Sequence, residues 1–208
     1  MIEFGHIING KEVPSLDGAT FESINPWTRK AWATIALGSK PDAQAAVTAA
    51  RAAFDDGPWP RLTPTERGRL LHRLADLIDQ NADELGAADS RDMGKPIRQA
   101  LDMEVPRAAY NFRFFADHAR LSTGSTFPLD SRHHAYSLYQ PAGVVAAIAP
   151  WNLPLMLETW KVAPALAWGN TVVLKPAEDT PTSAALLGRL AIEAGLPDGV
   201  LCAPAPCG

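Results

Sequence analysis

Cysteine is nearly absent from this 208-residue chain: only Cys202 and Cys207 occur, both among the last seven residues. A lone C-x-x-x-x-C pair, with no second pair or histidine pair nearby, is a poor metal site, so no metal is expected. Basic charge is also scarce. Nineteen Lys and Arg stand against twenty-three Asp and Glu, a net charge of -4. No basic surplus is left to neutralise a phosphate backbone, which argues against nucleic acid as a partner. No apolar run is long enough for a bilayer, because Glu158 and Lys161 interrupt the best stretch. The start, Met1-Ile2-Glu3-Phe4-Gly5, has no basic region followed by an apolar one, so it does not read as a signal peptide. A cytoplasmic protein with reduced thiols is the expectation. Internal repeats and low-complexity tracts are missing too.

What is present is the composition of a folded domain, 47% hydrophobic and 20% charged, with length for one domain or slightly more. Residues 4 to 36 read as short strands. Asn9-Gly10 favours a tight hairpin turn and Asn25-Pro26 marks another. Residues 41 to 120 read as helices. Ala43, Ala46, Val47, Ala50 and Phe54 repeat at helical spacing. Thr63-Pro64-Thr65-Glu66 is a capping box with proline at the first helical position, and it precedes a stripe of Leu70, Leu71, Leu74, Leu77 and Ile78. A long helix is predicted from about Pro96 to Ala119, with Ile97, Leu101, Val105, Ala108, Phe112 and Phe115 on its core side.

Residues 127 to 141 alternate along an extended segment and read as an exposed ribbon. His133 and His134 would point to opposite faces and could not easily share an ion. After Pro141 the pattern is strand, helix, strand, helix, strand. Gly143 to Ala149 is a continuous apolar run expected to be buried on both faces. Pro154 to Trp168 and Pro181 to Ala194 are helical, Thr171 to Leu174 is β-branched, and Val200-Leu201 opens a third strand. This alternation signals a parallel sheet with crossover helices, an α/β fold.

Ligands of such sheets bind beyond the C-terminal strand ends. The first strand ends at Ile148-Ala149-Pro150-Trp151-Asn152 and the second at Leu174-Lys175-Pro176-Ala177-Glu178. Lys175 and Glu178 could both reach the hydroxyls of a ribose, or they could simply form a surface ion pair. A glutamate there would accept from a 2′-hydroxyl and repel a 2′-phosphate, which favours NAD over NADP. Asn152 could donate to a developing oxyanion or cap the helix that follows; spacing alone favours the cap. No G-x-G-x-x-G follows the first strand, so an ordinary dinucleotide-binding domain fits poorly.

The run from Pro141-Ala142-Gly143 through Pro150-Trp151-Asn152-Leu153-Pro154, and the run from Trp160-Lys161 through Gly169-Asn170 to Lys175-Pro176-Ala177-Glu178, resemble the aldehyde dehydrogenase superfamily. So do Ile24-Asn25-Pro26, Glu66-Arg67-Gly68-Arg69-Leu70-Leu71 and Asp92-Met93-Gly94-Lys95-Pro96. The resemblance covers roughly residues 6 to 201 and implies an aldehyde dehydrogenase-like fold. That fold is a partial Rossmann-type parallel sheet with N-terminal helices and an oligomerisation ribbon. It divides the chain into 1–126, the N-terminal strands and helices of the cofactor-binding domain; 127–141, the ribbon; 142–201, the first β-α-β-α units; and 202–208, an aberrant tail. It further implies oxidation of an aldehyde to an acid with NAD as hydride acceptor. Asn152 matches the oxyanion amide, and Lys175 and Glu178 match the adenosine-ribose ligands. Ile148, Ala149, Pro150, Trp151 and Ala177 match the lining of the cofactor cleft. Leu153, Met156, Leu157 and Trp160 match the aldehyde tunnel. Tyr110 and Phe114 suggest an apolar or aromatic lining, with no charged anchor for an acidic substrate evident. Family members are usually dimers or tetramers.

In the family the cysteine nucleophile and the general-base glutamate lie downstream of K-P-A-E, beyond this chain, and neither Cys202 nor Cys207 has the nucleophile's context. Pro204 and Pro206 would forbid a central strand, so a frameshift or early stop near codon 201 is the expectation for the tail. The chain is then expected to be inactive alone, with apolar surface that leads to aggregation or reliance on a partner. The alternative is a non-catalytic fragment that binds a nucleotide or a full-length homologue.

Overall fold

The computed structural model describes residues 1–206. Strand β1 (Ile2–Phe4) pairs in parallel with β5 (Lys30–Ala36), which also pairs antiparallel with β4 (Thr20–Asn25). Between them, β2 (His6–Ile8) and β3 (Lys11–Val13) form the hairpin announced by Asn9-Gly10. Both turn residues have positive φ, 51° and 70°, as that turn requires.

The helices follow. Helix α1 (Lys40–Asp55) opens with Ser39 N donating to the Asp42 carboxylate at 3.0 Å. Its buried side is Asp42, Ala46, Ala50 and Ala53; Val47, expected in the core, faces outward. Helix α2 (Pro64–Gln80) has the expected capping box. Glu66 N donates to Thr63 Oγ1 at 3.2 Å, and Thr63 N donates to Glu66 Oε2 at 2.8 Å. Helix α3 (Ala82–Met93), not foreseen as a separate element, ends at Gly94, whose φ of 76° is a left-handed cap. The long helix predicted next is interrupted. One turn, α4 (Ile97–Gln99), passes through a π-helical turn at Ala100–Glu104 into α5 (Val105–Arg120). Pro106 has no N–H to give to the preceding turn, a local reason for the register to loosen there. Ile97 lies outside the core as a result.

The ribbon is a hairpin rather than one extended segment. Strand β6 (Thr126–Asp130) turns at Ser131-Arg132 and pairs antiparallel with β7 (His133–Tyr136). Asp130 accepts the backbone N–H groups of Arg132 (2.7 Å) and His133 (3.0 Å), and this closes the turn.

The last unit is a three-stranded parallel sheet in the order β10-β9-β8, with β8 at Val144–Ile148, β9 at Thr171–Lys175 and β10 at Leu201–Cys202. Helix α6 (Pro154–Ala167) and helix α7 (Thr182–Glu193) make the crossovers. Alternate side chains face opposite layers. Val144, Val173 and Cys202 pack under α1 with Ala46 and Ala50. Val145, Val172, Leu174 and Leu201 join the main core with α2, α5, α6 and α7. The expectation that Gly143–Ala149 is buried on both faces fails. Beta8 is an edge strand, and Ala146 and Ile148 are exposed beyond the reach of α1.

The tail is packed over its described part. Ala203 bridges to Ile7, Ala205 N donates to His6 Nδ1 at 3.0 Å, and Gly38 N donates to Pro206 O at 2.9 Å. Pro204 and Pro206 follow β10 at the sheet's other edge, where a missing donor costs no ladder bond. No described helix is long and apolar enough to cross a membrane.

Candidate functional site

Because β8 and β9 run parallel, their C-terminal ends open on the same side. Ile148 pairs with Lys175, and Ala149 N donates to Lys175 O at 3.0 Å, which extends the ladder one residue before the chain turns away. The following loop is Pro150-Trp151-Asn152. The N-cap of α6 is Leu153, with no side-chain capping bond, so Asn152 is not the cap. Its amide is exposed and has no hydrogen-bond partner among the described residues. Ile148, Pro150 and Trp151 are exposed beside it, whereas Ala149 and Ala177 are buried and contribute backbone.

At the end of β9, Lys175 Nζ contacts Glu178 Oε1. The Lys175 ammonium, then Glu178's own backbone N–H, hold the Glu178 carboxyl below the ordinary carboxylate range, so it is ionised at neutral pH. Trp151 and Glu178 line one cleft of about 490 Å³, whose far wall is Phe21 to Ile24 of β4 and whose floor includes Asp92.

Asp92 had no expected role. It accepts from Ser23 Oγ (2.6 Å), Trp32 Nε1 (3.2 Å), Thr182 N (3.1 Å) and Thr182 Oγ1 (2.6 Å). One carboxylate thus ties β4 and β5 to the start of α7 and positions the loop that carries Glu178. Burial nevertheless pushes its carboxyl up, since desolvation outweighs these donors.

A second polar cluster lies beneath. Asp89, Glu104, Glu158 and Lys95 are all buried. Lys95 contacts Glu104. Burial drives Asp89 up to about 7, with Lys95 opposing, and raises Glu158 well above its usual range, with Asp89 and Asp92 adding to the rise. A sequence signal for Glu158 did exist: an acid within the buried stripe Leu155, Thr159, Val162 and Leu166 of α6.

The expected tunnel residues divide. Met156 and Trp160, one turn apart on α6, face Tyr110 and Phe114 of α5 across a groove with cavities of about 370 and 470 Å³. Tyr110 stacks on Phe114 with ring centroids 6.0 Å apart, and Asn111 Nδ2 donates to Thr159 Oγ1 at 3.0 Å to hold the two helices together. Leu153 and Leu157 do not line these cavities. The groove also contains a charged side chain that the sequence reading did not find: Arg107, whose guanidinium sits 5.1 Å from the Tyr110 ring centroid.

Cys202 is a buried free thiol whose pKa burial raises, with the Asn9 backbone opposing, so it lacks the thiolate character of a nucleophile. Cys207 lies outside the described residues.

Comparison with known proteins identifies the family. The model of the Aldehyde dehydrogenase family matches residues 13–203. The chain is 47% identical over 195 residues to aldehyde dehydrogenase family 2 member B4, mitochondrial, of Arabidopsis thaliana, covering 94% of this chain and 36% of that one. It is 46% identical over 201 residues to 5-carboxymethyl-2-hydroxymuconate semialdehyde dehydrogenase of Escherichia coli, covering 97% and 42%. Among solved structures, the NAD+ complex of aldehyde dehydrogenase from Bacillus cereus superposes with a TM-score of 0.96 at 41% identity, over 99% of this chain and 42% of that one. The chain therefore spans about two-fifths of the length of the relatives it matches. With sequence and fold in agreement, the chain belongs to the aldehyde dehydrogenase family.

Proposed function

We propose that this chain carries the ribose-binding half of the cofactor site and the oxyanion amide of an NAD-dependent aldehyde dehydrogenase. The observation that carries the reading is the Lys175–Glu178 pair at the tip of the central parallel strand, with the unengaged amide of Asn152 in the loop that leaves the tip of the neighbouring strand. The residues present suit such a cofactor: an ionised carboxylate and an ammonium sit together at the strand end, beside exposed Ile148 and Trp151 and short backbone at Ala149 and Ala177.

Each group has a definable task. Glu178 accepts from ribose hydroxyls, Lys175 donates to them, and the negative charge of Glu178 disfavours a 2′-phosphate. Trp151 offers an apolar wall to the cleft, and Ile148 stands exposed at the end of β8. The Asn152 amide N–H donates to the aldehyde oxygen as negative charge builds there, and no side-chain hydrogen bond among the described residues has to be broken first. Bound NAD would supply the hydride acceptor. Met156 and Trp160, with Tyr110 and Phe114, line the approach for the aldehyde. Cys202 takes no part.

Calorimetric titration of the chain with NAD and with NADP, with thermal melts of the same samples, tests the reading. Saturable NAD binding with a raised melting temperature, and weaker NADP binding, is the expected result. Absence of NAD binding by a cooperatively melting chain would overturn it.

A further inference from the structure

Helix α5 presents Arg107, Tyr110 and Phe114 at spacings of three and four residues, so the three share one face. That face looks across the groove at Met156 and Trp160, and Arg107, Tyr110 and Trp160 line both of its cavities. The Arg107 guanidinium lies over the Tyr110 ring and makes no ion pair or side-chain hydrogen bond among the described residues. One acid, Asp102, shares the outer cavity but is not within ion-pairing distance of it; Glu104 is turned inward onto Lys95.

From this arrangement we infer that Arg107 anchors a carboxylate at the far end of the aldehyde, and that the preferred substrates are aldehydo-acids with a flat, apolar middle. The inference rests on the groove being the aldehyde's approach, as proposed above. The guanidinium rests over the Tyr110 ring with its fork free for bidentate pairing with a carboxylate, which Lys could not reproduce. Tyr110, Phe114 and Trp160 supply ring faces for a planar substrate body. A neutral aldehyde would cover the guanidinium without replacing its water, so Arg107 discriminates against it as well as selecting the acid.

The test uses the isotope-labelled 208-residue chain, observed by NMR at the Trp160 indole N–H and the Arg107 Nε–H. Para-formylbenzoate and benzaldehyde are the two probes. The acid is expected to perturb both signals and to bind about fivefold or more tightly than benzaldehyde, as a partly screened charge pair allows. Arg107→Met should remove that preference, and Arg107→Lys should restore part of it. Equal affinity for the two probes, a preference that survives Arg107→Met, or silence at Trp160 would each overturn the inference. NAD titration of the same samples separates the two claims. Loss of the acid preference with NAD binding intact refutes only the anchor. Absence of NAD binding with the preference intact refutes only the cofactor site.

Discussion

Glu178 is where the choice of dinucleotide is made on this reading. Its carboxylate is ionised, fixed by Lys175, and exposed to whatever enters the cleft beside Trp151. Glu178→Gln keeps the size and one acceptor but removes the charge. NAD affinity should fall roughly fivefold to tenfold, the net worth of one ordinary hydrogen bond, while NADP binding is unchanged or improved. Paired calorimetric titrations measure both, and an unaltered NAD/NADP ratio would count against the assignment. A second residue-scale prediction concerns pH. Asp89 titrates near 7 in the folded chain and near 3.8 when unfolded, so between these values the folded chain holds a proton that the unfolded chain has released. Its contribution is present in full below 3.8 and is lost as pH rises toward about 7; Glu158 acts in the same direction. Burial lowers the His6 pKa, against the pull of Asp42 and Asp17, so His6 works oppositely and removes stability as pH falls below 6.5. The melting temperature should therefore rise from about pH 8 toward about pH 6.5, and Asp89→Asn should flatten that slope. Strand-tip residues such as Lys175 and Glu178 were legible in the sequence because polar groups at the end of an apolar run need a reason. Asp89 and Arg107 were not, because their roles depend on which helices pack against them.

At the scale of elements, caps and turns carry the local signals. The Thr63–Glu66 capping box, the Asn9-Gly10 turn and the strand–helix alternation after Pro141 could all be read from adjacent residues, since each depends on bonds within a few positions. The misreadings share another cause. The ribbon's period-two pattern is the same whether the chain continues or reverses, and only the Asp130 side chain, which takes the next two free N–H groups, shows that it turns. The π-helical turn before Pro106 shifts the buried face partway along what looked like one helix, which is why Ile97 left the core. Thr63→Ala tests the capping claim. Loss of the Glu66 N–H acceptor at the start of α2 should cost about 1 kcal/mol. The melting temperature should then fall by roughly 2–4 °C. Thr63→Ser should retain most of the stability, and an alanine variant that melts like the parent would show that water satisfies the helix start equally well.

Across the whole molecule, two features besides the α5–α6 groove leave apolar surface open among the described residues. One is the edge strand β8, whose Ile148 is 64% exposed. The other is the β6–β7 hairpin, whose two strands pair only with each other and whose Leu129 is 66% exposed. This second feature was foreseen as an exposed ribbon, because none of its residues joins the helical stripes on either side. An isolated two-stranded hairpin is marginal in water. Phe127 and Leu129 on β6, with Tyr136 on β7 and Leu138 and Tyr139 just after it, form more exposed apolar surface than a free ribbon would be expected to keep. We therefore propose that the ribbon mediates association with further copies of the chain. Light scattering coupled to size exclusion should find a concentration-dependent oligomer. Phe127→Asp combined with Leu129→Asp should shift it to the monomer, while the thermal melt at low concentration moves by no more than the roughly 0.5 kcal/mol typical of surface changes, because neither side chain touches the core. If the parent chain is monomeric at every concentration, or the doubly charged variant remains associated, the ribbon is not a contact between copies.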